Sequence, residues 1–165
     1  MKRATHFAFT LGLTALIAAW LGLGIVTGLL AAIWLAAVVN YVIDAAGHEV
    51  RNGYRRRTEG THSITGATAV GAAVGLIPTL VILLAAPGVA GAYYGPLLLL
   101  EMGALGAIAG LSHLLLDAPT EGGIYYRGHR WALAHWRYDN AAVNCLFALL
   151  GLVMLGAALA TVVVA

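Results

Sequence analysis

The sequence predicts an all-α polytopic membrane protein, a bundle of about five transmembrane helices with its N-terminus inside and its C-terminus outside. Hydrophobic residues make up 61% of the 165 positions and charged residues only 10%, against about 25% charged in an average soluble domain. Apolar runs long enough to cross a bilayer alternate with short polar segments, and those segments hold every lysine and arginine. No linker, repeat or low-complexity tract interrupts the pattern, so a single helical domain over 1–165 is expected.

Lys2 and Arg3 open the chain, and an apolar run extends from Phe7 to Val39. A span takes about 20 residues, so this run can hold two helices, with Gly22 and Gly24 on either side of Leu23 marking the turn. Helix 1 is expected at 4–21 and helix 2 at 25–46. A basic start followed by an apolar run is also the pattern of a signal peptide; the expectation is that it is retained as helix 1. The first polar loop, 49–61, contains Arg51, Arg55, Arg56 and Arg57. Helix 3 follows at 62–86, with Pro78 expected to bend it or mark an interface because proline removes one backbone hydrogen bond.

The uncharged connection 88–95 leads to helix 4 at 96–117. Segment 118–138 contains Tyr125, Tyr126, Trp131, Trp136 and Tyr138, residues that favour headgroup depth, and a short amphipathic piece is expected there. Helix 5, at 139–163, closes the chain. With five spans, the N-terminus and both polar loops share one face, which therefore carries every Lys and Arg and, by the positive-inside rule, faces the cytoplasm of a multi-pass cell-membrane protein.

All six histidines fall on that face as well. His113 with Asp117 and His135 with Asp139 share an i, i+4 spacing, which on a helix lifts both side chains from one face about 6 Å apart. Asp44 and His48 repeat it in reverse order. One such pair is as well explained by a helix-terminal hydrogen bond, and a lone interfacial histidine needs no ligand. Their concentration favours a metal site drawn from His6, Asp44, His48, His62, His113, Asp117, His129, His135 and Asp139. Imidazole with carboxylate suits zinc first, with manganese or iron next.

Arg57, Arg127 and Arg130 are placed to bind a phosphate through the planar guanidinium. Glu101 lies about three turns below His113 and is expected to be protonated or hydrogen-bonded to Asn40 or Asn144, with a transport pathway as the alternative. The lone Cys145 excludes an intramolecular disulfide. A net charge of +2 does not point to nucleic acid, so the expected partners are membrane lipids. The small-residue series Gly103, Gly106 and Gly110 suits close helix packing within the chain, in a homo-oligomer or in a larger membrane complex.

Three elements, Met1-Lys-Arg-Ala-Thr-His6, Arg57-Thr-Glu-Gly-Thr-His62-Ser63 and Ser112-His113-Leu-Leu-Leu-Asp117-Ala-Pro-Thr120-Glu-Gly-Gly123, resemble the membrane-bound metal-dependent hydrolase-like families of bacteria and archaea. Those families are in turn similar to the zinc-dependent phospholipase C and single-strand nuclease superfamily. The resemblance implies that His113 supplies a ligand and Asp117 a bridging carboxylate, and that Asp44 and His62 complete one metal. It further implies that His6 joins Asp117 on a second, and that His129, His135 and Asp139 serve a third. The soluble enzymes use the amino terminus as a ligand, whereas Met1 here stands five residues before His6.

The expected function is a membrane-embedded phosphoesterase with two or three divalent ions, acting on a phospholipid or other phosphorylated lipid at the cytoplasmic surface. Asp44 or His48 would orient the attacking water and Arg57, Arg127 or Arg130 would neutralise the phosphate. The alternative is a non-catalytic metal-binding or structural subunit of a membrane assembly. A transporter ranks last, because few polar residues continue through the bilayer.

Overall fold

The computed structural model describes residues 1–86, 88 and 95–164. Helix α1 (Arg3–Trp20) is followed by α2 (Ile25–Ala46), a hairpin of β1 (His48–Arg51) and β2 (Tyr54–Arg57), the single turn α3 (Glu59–His62) and α4 (Ile64–Ala85). Next come α5 (Pro96–Asp117), a second hairpin of β3 (Ile124–Tyr126) and β4 (His129–Trp131), and α6 (Ala141–Val164). The protein is an all-α polytopic membrane protein. Among the described residues α2, α4, α5 and α6 are each long and apolar enough to cross a membrane. The fifth long helix, α1, has 18 residues, about 27 Å of rise.

Helices 2 and 4 have the expected bounds, and helices 1 and 5 differ by one or two residues. The turn after α1 works as expected: Gly22 takes φ +76°, the left-handed position that ends many helices and that a side chain disfavours. Pro96 opens α5, where its missing N–H costs nothing. Helix 3 divides, because Ser63 adopts an extended conformation and caps α4 by accepting from the Gly66 N–H. His62 therefore ends a separate turn instead of opening the span. Most of the 88–95 connection lies outside the described residues.

Both polar segments contain β-hairpins, which correct the plain loop at 49–61 and the amphipathic piece at 118–138. In the first, His48 pairs with Arg57 and Arg51 with Tyr54 across Asn52-Gly53, whose φ angles are 53° and 77°. Two consecutive positive φ values match the right-handed twist of the strands, and Asn-Gly is the dipeptide that adopts them most readily. Arg127-Gly128 does the same in the second, with φ 50° and 80°.

Helix α4 packs most extensively on α5 and α1 on α6, while α2 touches α1, α4 and α5. The two close pairs depend on glycine: a Cβ on Gly71 would meet the Gly106 carbonyl, and one on Gly12 would meet that of Gly151. The Gly106/Gly110 pair of the small-residue series is thus used inside the chain, against α4. Leu35, Val39, Ile43, Leu105 and Ala109 form the fully buried centre. Leu30, Leu84, Leu100 and Val153 point outward, as lipid-facing side chains do.

Glu101 does not reach Asn40 or Asn144. The Asn40 amide nitrogen donates to Ala36 O, and that of Asn144 to Tyr138 O and Asn140 O. Glu101 instead borders a cleft of about 410 Å³ with Gly22, Gly24 and Gly95, away from both hairpins.

Candidate metal centre

Four elements bring their polar residues to one point at the hairpin end of the bundle. One helical turn separates Asn40 from Asp44 on α2, and His113 from Asp117 on α5, so each pair projects from one face. His62 arrives from α3 and His6 from α1. Asp117, His62 and His113 are fully buried.

The donor atoms converge. His113 Nε2 lies 3.2 Å from Asp117 Oδ2 and 3.7 Å from Asp44 Oδ1. His62 Nε2 lies 3.8 Å from Asp117 Oδ2 and 3.9 Å from Asp44 Oδ1. A tetrahedral zinc with bonds of about 2.0–2.1 Å spaces its ligand atoms roughly 3.3 Å apart, so the His113–Asp117 edge already matches and the other three need to shorten by about half an ångström.

Hydrogen bonds on the far side of each ring decide which nitrogen faces this point. Asn40 spends its amide N–H on Ala36 O at 2.7 Å, and its oxygen accepts from His113 Nδ1 at 2.9 Å. Thr61 donates its hydroxyl to Ile43 O at 2.9 Å, leaving the oxygen to accept from His62 Nδ1 at 3.1 Å. With Nδ1 carrying the proton in both rings, Nε2 is a bare acceptor in both. Burial, then the neighbouring His113, pushes the His62 imidazole down to about 3, which holds it in the neutral form.

His62 Nε2, His113 Nε2 and Asp117 Oδ2 are all buried without a hydrogen-bond partner. Buried polar atoms are seldom left so, and three acceptors facing one another repel unless a cation lies between them. The residues present fit a divalent ion.

The other oxygen of Asp117 is engaged differently. Oδ1 accepts from the Met1 α-amine at 2.8 Å, stands 3.2 Å from His6 Nε2 and forms an ion pair with Arg57 at 2.6 Å. The amino terminus therefore reaches the site, where its distance from His6 in sequence argued against it: Met1, ahead of α1, places its α-amine 3.2 Å from His6 Nε2, and Lys2 N and Thr5 Oγ1 both donate to Asn144 Oδ1 on α6. His6 stacks on His113 with ring centroids 4.2 Å apart. Arg57 is also held by Thr120 Oγ1 and Gly123 O, at 3.2 and 2.8 Å, so β2 and the start of the second hairpin aim it together.

Above the cluster opens a cavity of about 1210 Å³ whose lining includes Asp44, His48 and Met1 beside Lys2, Arg3, Arg56, Arg57 and Arg130. His48 Nδ1 bonds the Asp44 backbone oxygen at 2.7 Å and stands 3.8 Å from its carboxylate, which places it at the rim.

Six of the nine residues expected as ligands thus meet: His6, Asp44, His48, His62, His113 and Asp117. His129 lies exposed on β4, and residues 132–140 form no helix, so His135 and Asp139 do not share the face that their spacing suggested. His135 takes φ 52°, and Asp139 accepts two hydrogen bonds from Arg137. Of the arginines, Arg57 and Arg130 border the cavity, whereas Arg127 lies over the Tyr126 ring. The sequence reading overlooked Thr61, and Asn40 as a partner of His113. The signal for Asn40 was available, since it is a lone polar residue one turn before Asp44.

A family of proteins described as of unknown function, DUF1286, matches residues 1–116. The chain belongs to the DUF1286 family. The matched stretch contains every converging residue of the centre except Asp117, the next position along. No curated protein and no solved structure matches the chain. The DUF1286 match names no activity, so the chemistry of the centre rests on its geometry.

Proposed function

We propose that the protein is a metal-dependent hydrolase of the membrane surface, a phosphoesterase acting on a phospholipid or other phosphorylated lipid. The observation that carries this reading is the set of three orphaned acceptors, His62 Nε2, His113 Nε2 and Asp117 Oδ2, facing Asp44 Oδ1 beneath a basic cavity. Asp44, His62, His113 and Asp117 would hold a divalent ion, zinc by donor type, with His6 and His48 beside it. Such an ion supplies a water of lowered pKa and polarises a phosphoryl oxygen.

The chain's own residues have separable parts in this reading. Arg57, held on three sides, binds phosphate oxygens and offsets their charge. His48, which lines the cavity and bonds the Asp44 backbone oxygen through Nδ1, keeps Nε2 to accept the proton of the attacking water. The water oxygen bonds to phosphorus, the ester P–O bond breaks and the leaving oxygen takes up a proton. All nine Lys and Arg residues belong to the N-terminus and the two hairpin segments, and positive-inside orientation then sets the site at the cytoplasmic surface of the cell membrane.

A non-catalytic, metal-binding subunit is the second reading, and donor number favours it: four protein atoms fill a tetrahedral zinc and leave no open position. Elemental analysis of the detergent-purified chain tests both. The hydrolase reading expects one or more zinc or manganese ions per chain, lost in His113→Ala and Asp117→Ala, and metal-dependent release of phosphate or a phosphorylated headgroup. Metal without any hydrolysis of phosphoester lipids would favour the subunit, and a wild type still metal-free after dialysis against zinc would sink both.

A further inference from the structure

Five basic residues, Lys2, Arg3, Arg56, Arg57 and Arg130, line the cavity, against two acids, Asp44 and Glu121. They come from three separate parts of the chain, the N-terminus and the two hairpins, so the fold gathers them; no local run of charge does. Arg57 is paired with Asp117. The other four have no ion-pair partner among the described residues; Arg130 donates only to a backbone carbonyl, Glu121 O at 3.0 Å. Elsewhere at this end the chain does pair an exposed arginine, Arg137 with Asp139 at 3.0 Å. Topology alone accounts for basic residues on this face, but not for their gathering around one concave space.

Like charges lining a cavity repel, and the field they make is focused by the low-dielectric walls on whatever enters. A bound divalent ion would add to that field, since Asp44 and Asp117 would then be engaged with it. A zwitterionic headgroup returns one positive charge for each phosphate and leaves the excess uncompensated. A terminal phosphate or diphosphate brings two or more negative charges and no positive one.

From this geometry we infer that the cavity selects a polyanionic phosphate, a phosphate monoester or diphosphate, over a zwitterionic phosphodiester. Arg56, Arg130 and Lys2 act as specificity-determining residues. The inference rests on the phosphoesterase reading and narrows its substrate. For a monoester, water attacks the terminal phosphorus, the P–O bond to the lipid breaks, and inorganic phosphate and a lipid alcohol result. For a diphosphate, water attacks the terminal phosphorus, its bond to the bridging oxygen breaks, and inorganic phosphate and a lipid monophosphate result.

The test uses the full chain in detergent with its metal content measured in every batch. Inorganic pyrophosphate and glycerophosphocholine, a zwitterionic phosphodiester, are titrated as soluble probes, and micelles containing phosphatidic acid or a prenyl diphosphate are compared with phosphatidylcholine micelles. Pyrophosphate should bind about tenfold or more tighter than glycerophosphocholine, with affinity falling as salt rises. Arg56→Gln with Arg130→Gln should lose most of that preference while metal content stays unchanged, and Arg137→Gln should keep it. Turnover confined to the anionic micelles assigns a lipid substrate, and turnover of pyrophosphate alone a soluble one; both support polyanion selection. Equal or tighter binding of glycerophosphocholine to metal-loaded protein, or a preference that survives the double substitution, overturns the inference and leaves the phosphoesterase reading intact. Retained preference for pyrophosphate in a protein that binds no metal would support the anion site and remove the hydrolytic reading alone.

Discussion

The Asn40 side-chain oxygen accepts a hydrogen bond from His113 Nδ1 at 2.9 Å, deep between α2 and α5. The contact ties the two helices that supply both carboxylates of the centre. It also leaves Nε2 as the acceptor turned towards Asp44 and Asp117, because the ring keeps its proton on the far side.

Replacing Asn40 by leucine, similar in volume but without an acceptor, should weaken zinc binding by about 10–100-fold. Asn40→Asp, which keeps an acceptor, should lie closer to wild type. Competition with a chromophoric chelator measures both. Equal affinity in the leucine variant would show that the ring orientation is set by packing alone.

Asp117 is fully buried with Arg57 and the Met1 α-amine on Oδ1. Asp117→Ala leaves those cations facing a low-dielectric interior with no counter-charge, a loss of roughly 3–5 kcal/mol for a broken buried pair. Thermal unfolding in detergent should show a large drop. Arg57→Ala should cost less, because that guanidinium is itself partly exposed while Asp117 keeps the α-amine.

At Gly71 an added Cβ would collide with the Gly106 carbonyl across the α4–α5 interface. Gly71→Ala should destabilise the protein by about 1–3 kcal/mol, the usual range for overpacking. It should also shift α5 and with it His113 and Asp117, so metal affinity is expected to fall although the substitution touches no ligand. A melting temperature and zinc affinity both equal to wild type would show that the two helices separate freely.

His129, His135 and Asp139 stand apart from the converging donors, on the second hairpin and in the irregular segment after it. Alanine at any of the three should leave the metal content per chain unchanged. Loss of one ion in His135→Ala or Asp139→Ala would require the segment 132–140 to fold over the cavity when metal binds.

The long helices could be read from the sequence because hydrocarbon leaves a chain few options: an apolar run must satisfy its own backbone, and length then sets the bounds. That is why 25–46 and 96–117 coincide with α2 and α5. The His113–Asp117 pair was legible for a related reason, since residues four apart inside a helix share a face whatever surrounds them. The same spacing misled at His135–Asp139, where no helix forms and Arg137 takes the carboxylate. Hairpins escaped notice although Asn52-Gly53 announced one, because short strands rich in arginine carry no apolar alternation. What only the tertiary structure decided is which polar groups face one another. Asn40 turned to His113 and not to Glu101, Met1 folded back onto Asp117, and basic residues from three segments came to line one cavity. Those pairings depend on helix rotation and crossing, set by close contacts such as Gly71 on Gly106, and a helical period alone contains no record of them.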